Sequence, residues 1–510
     1  MPKRITRRRL LAGAGIGAAG IASAGVALDR LGGRDESRGG PRDVLLIVID
    51  TLRADHLGAY GAAEMHTPNI DALAGQGIRF TRTYPEAMPT MPMRRTIMTG
   101  RRIFPFRRWR PWAGVGGSPG WGPIMPGTRT LVNEFEAAGY ATVYVTDNPF
   151  IGFAEALGPF RESVNRLVPI PGHTGMVRPT SSLPDDDARR VLPAYLREQP
   201  DQVAKMRDYL AQNGGADGLD IRESRTPAGR VFGAAIEELR RVAGHRFGGR
   251  ARRPFFMVVD SFDPHEPWVP PRKYRALYGD PDVPFLGNIT YGDAARMTAD
   301  EIDRLRATYK ASVSNVDAQL GRLLDEVDGL GLAESMTVML VADHGILLGE
   351  RDWVGKSAWR LGRQMAHVPL IVRQPGADSG RESDWFADTP DVPPTLMALA
   401  GLAPPRRFQG SDLTPIIHGD EPPEERDMTY GGYANDFYVR DGRWVLVSDN
   451  LMRSSQLYDL QADPDERHDI STDKPHVVAE LRKRLLAKLP EPPRFYTPAE
   501  RAREPRRLSS

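Results

Sequence analysis

VLLIVID at residues 44–50 and TVMLVAD at residues 337–343 decide the fold. Each is a continuous apolar run that ends on an aspartate. A strand with one wet face alternates apolar and polar side chains. These runs are almost unbroken, the pattern of parallel strands covered on both faces. Ala141–Val145 and Pro254–Val259 read the same way. Helical patterns separate the four: Thr128–Ala138, Ala234–Ala243, and Thr298 to about Leu330, the last opened by a Thr298…Glu301 capping box. Buried strands alternating with amphipathic helices predict an α/β fold, a doubly wound, mostly parallel sheet flanked by helices.

Outward from this core, segment 175–222 is polar and rich in Pro and Asp, and reads as an excursion over the sheet edge. Pro422–Pro423 mark a boundary near residue 420. Beyond it, Asp427–Leu451 alternates aromatic and polar residues like antiparallel hairpins, and Val477–Leu489 is an amphipathic helix. The expected organisation is a domain at 43–420 followed by a small antiparallel sheet plus helix, with a tail, at 421–510.

The N-terminus reads as an address. MPKRITRRR at residues 1–9 precedes an Ala/Gly-rich apolar stretch at 10–28, and Ala22-Ser23-Ala24 is a cleavage candidate. Thr6-Arg7-Arg8-Arg9-Leu10-Leu11 resembles a twin-arginine signal. Residues 1–30 are therefore expected to be a twin-arginine-type signal or anchor, and 31–42 a linker. The expected location is extracytoplasmic: periplasmic, cell-wall or secreted. Membrane contact is expected only if the segment stays uncleaved.

Among 510 residues there is no cysteine, which excludes disulfides, Cys-ligated metals and a thiol nucleophile. The charge is +2 from 68 basic and 66 acidic residues, without the basic excess of a dedicated nucleic-acid binder.

Each of the four strands ends in aspartate: Asp50, Asp147, Asp260 (with Asp263 just beyond) and Asp343. Open α/β sheets bind ligands at the carboxyl ends of their strands. Carboxylates gathered there repel, and a cation relieves the repulsion. His344 adds an imidazole. The bland alternative is that each Asp caps the following turn or helix. His265, between prolines in Asp263-Pro264-His265-Glu266-Pro267, reads as an anion-binding or general-acid residue, or as a loop His packed under Trp268. In Pro89–Gly100, Pro92 and Gly100 bracket a short helix with Thr90 at its N-terminus and Arg94 on the same face. A hydroxyl and a guanidinium there can cradle an oxyanion, and a nearby divalent metal would make the hydroxyl a nucleophile. Alternatively Thr90 is an N-cap and Arg94 a surface charge. Arg101–Trp112 interleaves Arg with aromatics, as a substrate rim, a membrane patch, a nucleic-acid stacking surface or a packed loop.

Together these motifs resemble the sulfatase family of the alkaline phosphatase superfamily. The resemblance rests on five ordered segments: VLLIVIDTLRADHLGAYG, Thr90-x-Pro92-x-Arg94 followed by Met98-Thr99-Gly100-Arg101, SFDPHEPWVPP, VADHGILLGERDWVGKS with HVPLIVRQPG, and QLYDLQADPDERHDI. It implies a hydrolase with one divalent metal ion (Ca, Mn, Mg or Zn) held by Asp50, Thr90, Asp343 and His344. It implies Thr90 as nucleophile, with Arg94, His265 and Lys356 holding the ester anion and assisting the leaving group. Its departures carry the mechanism. The family converts Cys or Ser to formylglycine at the Thr90 position, and Thr cannot give an aldehyde, so no formylglycine is expected. Thr51 replaces the second Asp of an Asp-Asp pair, and Asp147-Asn148 replace a Lys-x-His. An unmodified Thr favours phosphoric mono- or diesters, with sulfuric esters the alternative and a non-catalytic binding protein the rival of another class. A second metal on Asp263, His265 and His367 is the less favoured alternative to a single ion. The expected partner is an anionic ester: a sulfated or phosphorylated small molecule, glycan or lipid head group.

Overall fold

The computed structural model describes residues 42–506 apart from 116, 153–157, 174–182, 215–218 and 245–251. The expected signal, and the linker up to residue 41, lie outside the described residues. From Arg42 onward the chain forms one compact unit.

Its centre is an eight-stranded sheet: β1 (Asp43–Ile49), β2 (Ile78–Tyr84), β3 (Ala141–Thr146), β4 (Arg166–Pro169), β5 (Phe255–Ser261), β6 (Met336–Ala342), β7 (Leu370–Arg373) and β8 (Arg381–Asp388). The order is β8-β2-β7-β6-β1-β5-β3-β4. The four expected strands are the contiguous centre β6-β1-β5-β3, parallel throughout. The sheet is mostly parallel, with β7 running antiparallel to both neighbours. Alternate residues of β1 enter opposite cores. Leu45, Ile47 and Ile49 pack with the helices Pro227–Gly244 and Ala299–Gly329, whereas Val44, Leu46 and Val48 pack with Thr90–Thr99, Leu131–Ala137 and Val392–Leu399. The sheet is thereby covered on both faces.

We label the helices α1 (Thr90–Thr99), α2 (Leu131–Ala137), α3 (Pro200–Asn213), α4 (Pro227–Gly244), α5 (Ala299–Gly329) and α6 (Pro475–Lys488). The expected Thr298…Glu301 capping box opens α5. The excursion 175–222 contains α3, which builds its own small core from Val203, Met206, Tyr209 and Leu210 against Val191 and Phe285. Among the described residues no helix is long and apolar enough to cross a membrane.

The C-terminal hairpins are β9 (Met428–Tyr433), β10 (Asp436–Asp441), β11 (Trp444–Asp449) and β12 (Ser455–Asp459), antiparallel in sequence order, with Leu481 and Leu485 of α6 in their core. Ala87–Met88, directly ahead of α1, pairs in parallel with β9. The C-terminal sheet therefore takes its fifth strand from the segment leading into α1, far ahead of residue 420 in the chain. That helix ends at Gly100, which is left-handed (φ 65°) and where a Cβ would collide with the Phe408 ring. Gly100→Ala is expected to destabilise the protein by about 2–4 kcal/mol, from backbone strain plus overpacking. Urea unfolding checks this: an unchanged midpoint would refute it.

Candidate active site and metal centre

In-register parallel pairing sets Ile49 beside Ser261 and Ala342, so the residues just past β1 and β6 emerge level at one edge. There Asp50, Asp343 and His344, all fully buried, bring one ligand atom each within 4.8 Å of one another. Thr51 ties the pair together. It is left-handed (φ 60°), its Oγ1 donates to Asp50 Oδ1 at 2.6 Å, and its N–H donates to Asp343 Oδ1 at 2.9 Å. Burial and the charge of Asp343 push the Asp50 carboxyl well above the ordinary range. Burial also opposes ionisation of Asp343, but His344 and Arg94 outweigh it and hold its carboxyl below that range. Asp50 Oδ2 has no hydrogen-bond partner, although Arg94 Nη1 stands at ion-pair distance, 3.1 Å. Burial lowers His344 to about 4, which leaves a neutral imidazole. Its Nδ1–H donates to the Gly345 carbonyl at 2.9 Å, so the Nε2 lone pair faces Asp343 Oδ2 at 3.3 Å and Asp50 Oδ1 at 3.8 Å. Two carboxylates, one of them with an orphaned oxygen, and a lone pair aimed between them fit a divalent cation. Oxygen-rich donors admit Ca, Mg or Mn, and the imidazole admits Mn or Zn.

Thr90 opens α1 with its Oγ1 3.4 Å from His344 Nε2, on the same side as these donors. Arg94, one turn on, points back with Nη1 3.4 Å from the Thr90 carbonyl. The expectation that Arg94 holds the ester anion meets a different placement. Its guanidinium is buried and grips Asp260 in a fork (Nη2–Oδ1 2.7 Å, Nε–Oδ2 3.2 Å), while Nη1 pairs with Asp343. Asp260 also accepts from the Tyr144 hydroxyl at 2.9 Å. Arg94 and Asp260 therefore brace the carboxylate cluster.

The other strand-end acids lie outside it. Asp263 Oδ2 accepts from Ala228 N at the start of α4, so it caps a helix that precedes it in the chain rather than the turn or helix that follows it. Asp147 Oδ1 accepts from Phe262 N at 2.7 Å, and its Oδ2 is buried without a partner. Burial, aided by Asp263 and Asp260 and opposed by His173, pushes Asp147 up to about 7. A carboxyl raised on folding contributes stability at low pH that is lost as pH rises toward 7. Asp147→Asn is therefore expected to stabilise the protein increasingly from pH 5 to pH 8, by on the order of 2–4 kcal/mol at the upper end. Thermal midpoints across that range test it; a gap that does not widen would refute it.

The alternative second metal is not assembled. His367 Nε2 bonds the Thr81 carbonyl at 2.8 Å and its ring stacks on Tyr84, away from Asp263 and His265. Among the described residues the metal-type cluster is Asp50, Asp343 and His344.

Lys356 is buried and its Nζ donates to the Tyr291 hydroxyl at 2.8 Å. Its charge reaches Asp50, His265 and His344. His265 stacks on Phe262 at 4.1 Å, rather than under Trp268, and its Nδ1 donates to the Glu266 carbonyl at 2.5 Å. Burial, then Lys356 and His173, hold His265 well below its ordinary range, so it is neutral. Three neighbours were not legible: His173, Tyr291 and Glu266. Each sits in a loop without periodicity, and Glu266, although inside the SFDPHEPWVPP segment, was given no role there.

Arg101–Trp112 packs its aromatics while Arg101, Arg107, Arg108 and Arg110 stay exposed. Phe104 and Phe106 enter the C-terminal core, Tyr496 donates its hydroxyl to the Phe106 carbonyl at 2.7 Å, and Trp109 N donates to Tyr496 at 2.9 Å.

The sulfatase family model matches residues 42–156 and 221–402, and the model for the C-terminal part of N-sulphoglucosamine sulphohydrolase matches 349–491. The chain is similar to an arylsulfatase of Clostridium perfringens, 25% identical over 88% of this chain and 94% of that one. It is similar to a choline-sulfatase of Rhizobium meliloti, 26% identical over 83% and 81%. Among solved structures it resembles the phosphonate monoester hydrolase of Agrobacterium radiobacter, with a TM-score of 0.67 and 23% identity over 88% of this chain and 95% of that one.

Proposed function

The chain belongs to the sulfatase family, hydrolases of sulfuric or phosphoric esters, and from that premise we propose that it cleaves phosphoric esters through Thr90, outside the cytoplasm. The observation that carries the reading is the Thr90 hydroxyl, at a helix N-terminus and 3.4 Å from His344 Nε2, in a chain without cysteine. Asp50, Asp343, His344 and Thr90 would hold a divalent cation, which supplies neutralisation of the two carboxylates and acidification of a hydroxyl drawn to it. Arg94 and Asp260 fix these carboxylates. Thr90 Oγ1 attacks phosphorus in line, and the first backbone N–H groups of α1 favour the equatorial charge. Lys356 has N–H donors beyond the one given to Tyr291 and serves the ester and its leaving oxygen. Neutral His265, with Nδ1–H committed to Glu266, offers Nε2 as a base to the water that clears the threonine ester. Phosphorus is favoured because a phosphothreonine hydrolyses at phosphorus, whereas a threonine sulfate lacks the aldehyde-hydrate elimination that clears formylglycine sulfate. A sulfuric ester is the second reading, favoured by the arylsulfatase and choline-sulfatase likeness. The extracytoplasmic location rests on residues 1–30.

Mass spectrometry of the peptide bearing Thr90, after metal-loaded enzyme is quenched on aryl phosphate mono- and diesters and on an aryl sulfate, tests this. Phosphate on Thr90 is expected. Turnover of the sulfate alone, or turnover with Thr90 unmodified, would sink it.

A further inference from the structure

Leu347–Leu348 and Trp353–Gly355, which follow the Asp343-His344 loop, form a small three-stranded sheet with Gly292–Asp293. Val354 pairs with Gly292, which lays Tyr291 alongside Gly355. Gly355 is left-handed (φ 87°), and a Cβ there would collide with the Tyr291 ring. The backbone ahead of Lys356 is thus shaped to receive this ring. The Tyr291 hydroxyl accepts from Lys356 Nζ at 2.8 Å and donates to Glu266 Oε1. That same oxygen lies 3.7 Å from Lys356 Nζ. Glu266 is buried, and its other oxygen, Oε2, stands 3.4 Å from His265 Nδ1 without a hydrogen bond of its own. One residue therefore touches both the imidazole and the hydroxyl that anchors the ammonium.

The geometry points to Tyr291 as a positioning residue for the leaving-group side of the reaction, orienting the Lys356 ammonium, with Glu266 as the shared anchor of Lys356 and His265. This rests on the role given to Lys356 above. The direction of the chain of hydrogen bonds supports it: ammonium to phenol, phenol to carboxylate. Burial and Glu266 keep the phenol protonated, so it donates to the carboxylate at any working pH. One N–H of Lys356 is fixed by Tyr291, and the rest of the ammonium is directed rather than free to rotate away. Proton delivery gains most when the departing oxygen is a strong base, so the device matters least for acidic phenols and most for weakly acidic leaving groups.

The test is Tyr291→Phe, which removes the one oxygen that bonds Lys356 and Glu266 and keeps the ring of a residue that is 41% exposed. Wild type and variant are compared over a series of aryl esters, phosphate or sulfate as the wild type prefers, from nitrophenyl to phenyl leaving groups. The expected loss in kcat/KM is about 3-fold or less for nitrophenyl and grows to roughly 30–100-fold for phenyl, up to the lower end of what a whole acid–base group contributes, since the ammonium is displaced and not removed. Repeated in a Lys356→Met background, Tyr291→Phe should have no further effect on this slope. A loss uniform across leaving groups, no loss, or full additivity with Lys356→Met would overturn the assignment. The Thr90 reading fails differently, in the identity of the modified residue, and leaves the leaving-group slope unchanged.

Discussion

Replacing Arg94 with methionine is expected to lower stability by about 3–5 kcal/mol, the cost of leaving buried charge unpaired. Turnover should be lost as well. Arg94, Asp50, Asp260 and Asp343 are all buried to within 1% of full enclosure. Burial alone would make the guanidinium easier to deprotonate, but Asp260, Asp343 and Asp50 together raise its pKa far above the ordinary value, so it carries its charge in the folded state. Removing it leaves the carboxylates facing one another in a dry site. Among the described residues, Tyr144 and Thr51 remain as the hydroxyl donors to Asp260 and Asp50. A divalent cation binds the folded state alone and stabilises it by mass action. Added Mn or Ca should therefore raise the melting temperature of Arg94→Met more than that of the wild type, because the cation meets less competition from the guanidinium. Arg94→Lys should fall between the two, since an ammonium keeps the charge and loses the fork to Asp260. Melting of the three proteins with chelator and with added cation decides it. A wild-type melting temperature in Arg94→Met, or no larger response to metal, would mean that Arg94 is not the brace of the cluster.

The parts of this site that could be read from the chain are those written in strand ends and helix starts. Asp50 and Asp343 close continuous apolar runs that read as buried strands, and parallel register then brings them level. Thr90 was legible because Pro92 and Gly100 bound its helix, and a helix N-terminus is a local property. The four strands recovered are the central ones. Strand β2, one in from the edge strand β8, was not, because Arg79 and Arg82 break its apolar run, paired to Glu382 and Asp384 of β8. Partners chosen by tertiary packing were out of reach. Arg94 lies on the Thr90 face as helical spacing requires, but nothing in the spacing says that it turns inward to Asp260 rather than outward to an anion. The capping of α4 by Asp263, and the meeting of Tyr291 with Lys356 across 65 residues, are likewise set by loop geometry with no period to betray it.

Thr90→Ala is expected to reduce kcat by roughly 10⁴-fold or more, the scale on which deleting a covalent nucleophile acts, while Thr90→Ser stays within about 10-fold. The fold should tolerate both, because among the described residues the hydrogen bond of the Thr90 side chain is the 3.4 Å contact to His344, and a single long contact contributes about 1 kcal/mol at most. The sharper result concerns what each ester does to the intact enzyme. A phosphoryl group on Thr90 is released when water attacks phosphorus, with His265 as base, so aryl phosphates should turn over many times. A sulfuryl group on the same oxygen is a stable alkyl sulfate: clearing it by carbon–oxygen cleavage needs a geminal hydroxyl, which an unmodified threonine lacks. An aryl sulfate should therefore give no more than a burst of one phenol per active site, after which the enzyme is blocked toward phosphate esters too. Thr90→Cys restores the Cys-x-Pro-x-Arg pattern. In a host that makes formylglycine, it should replace that burst with steady turnover of the sulfate and slow the phosphate reaction. Steady sulfate turnover by the wild type, with no burst and no adduct, would show that threonine is not the attacking group, and the sulfuric-ester reading would then stand.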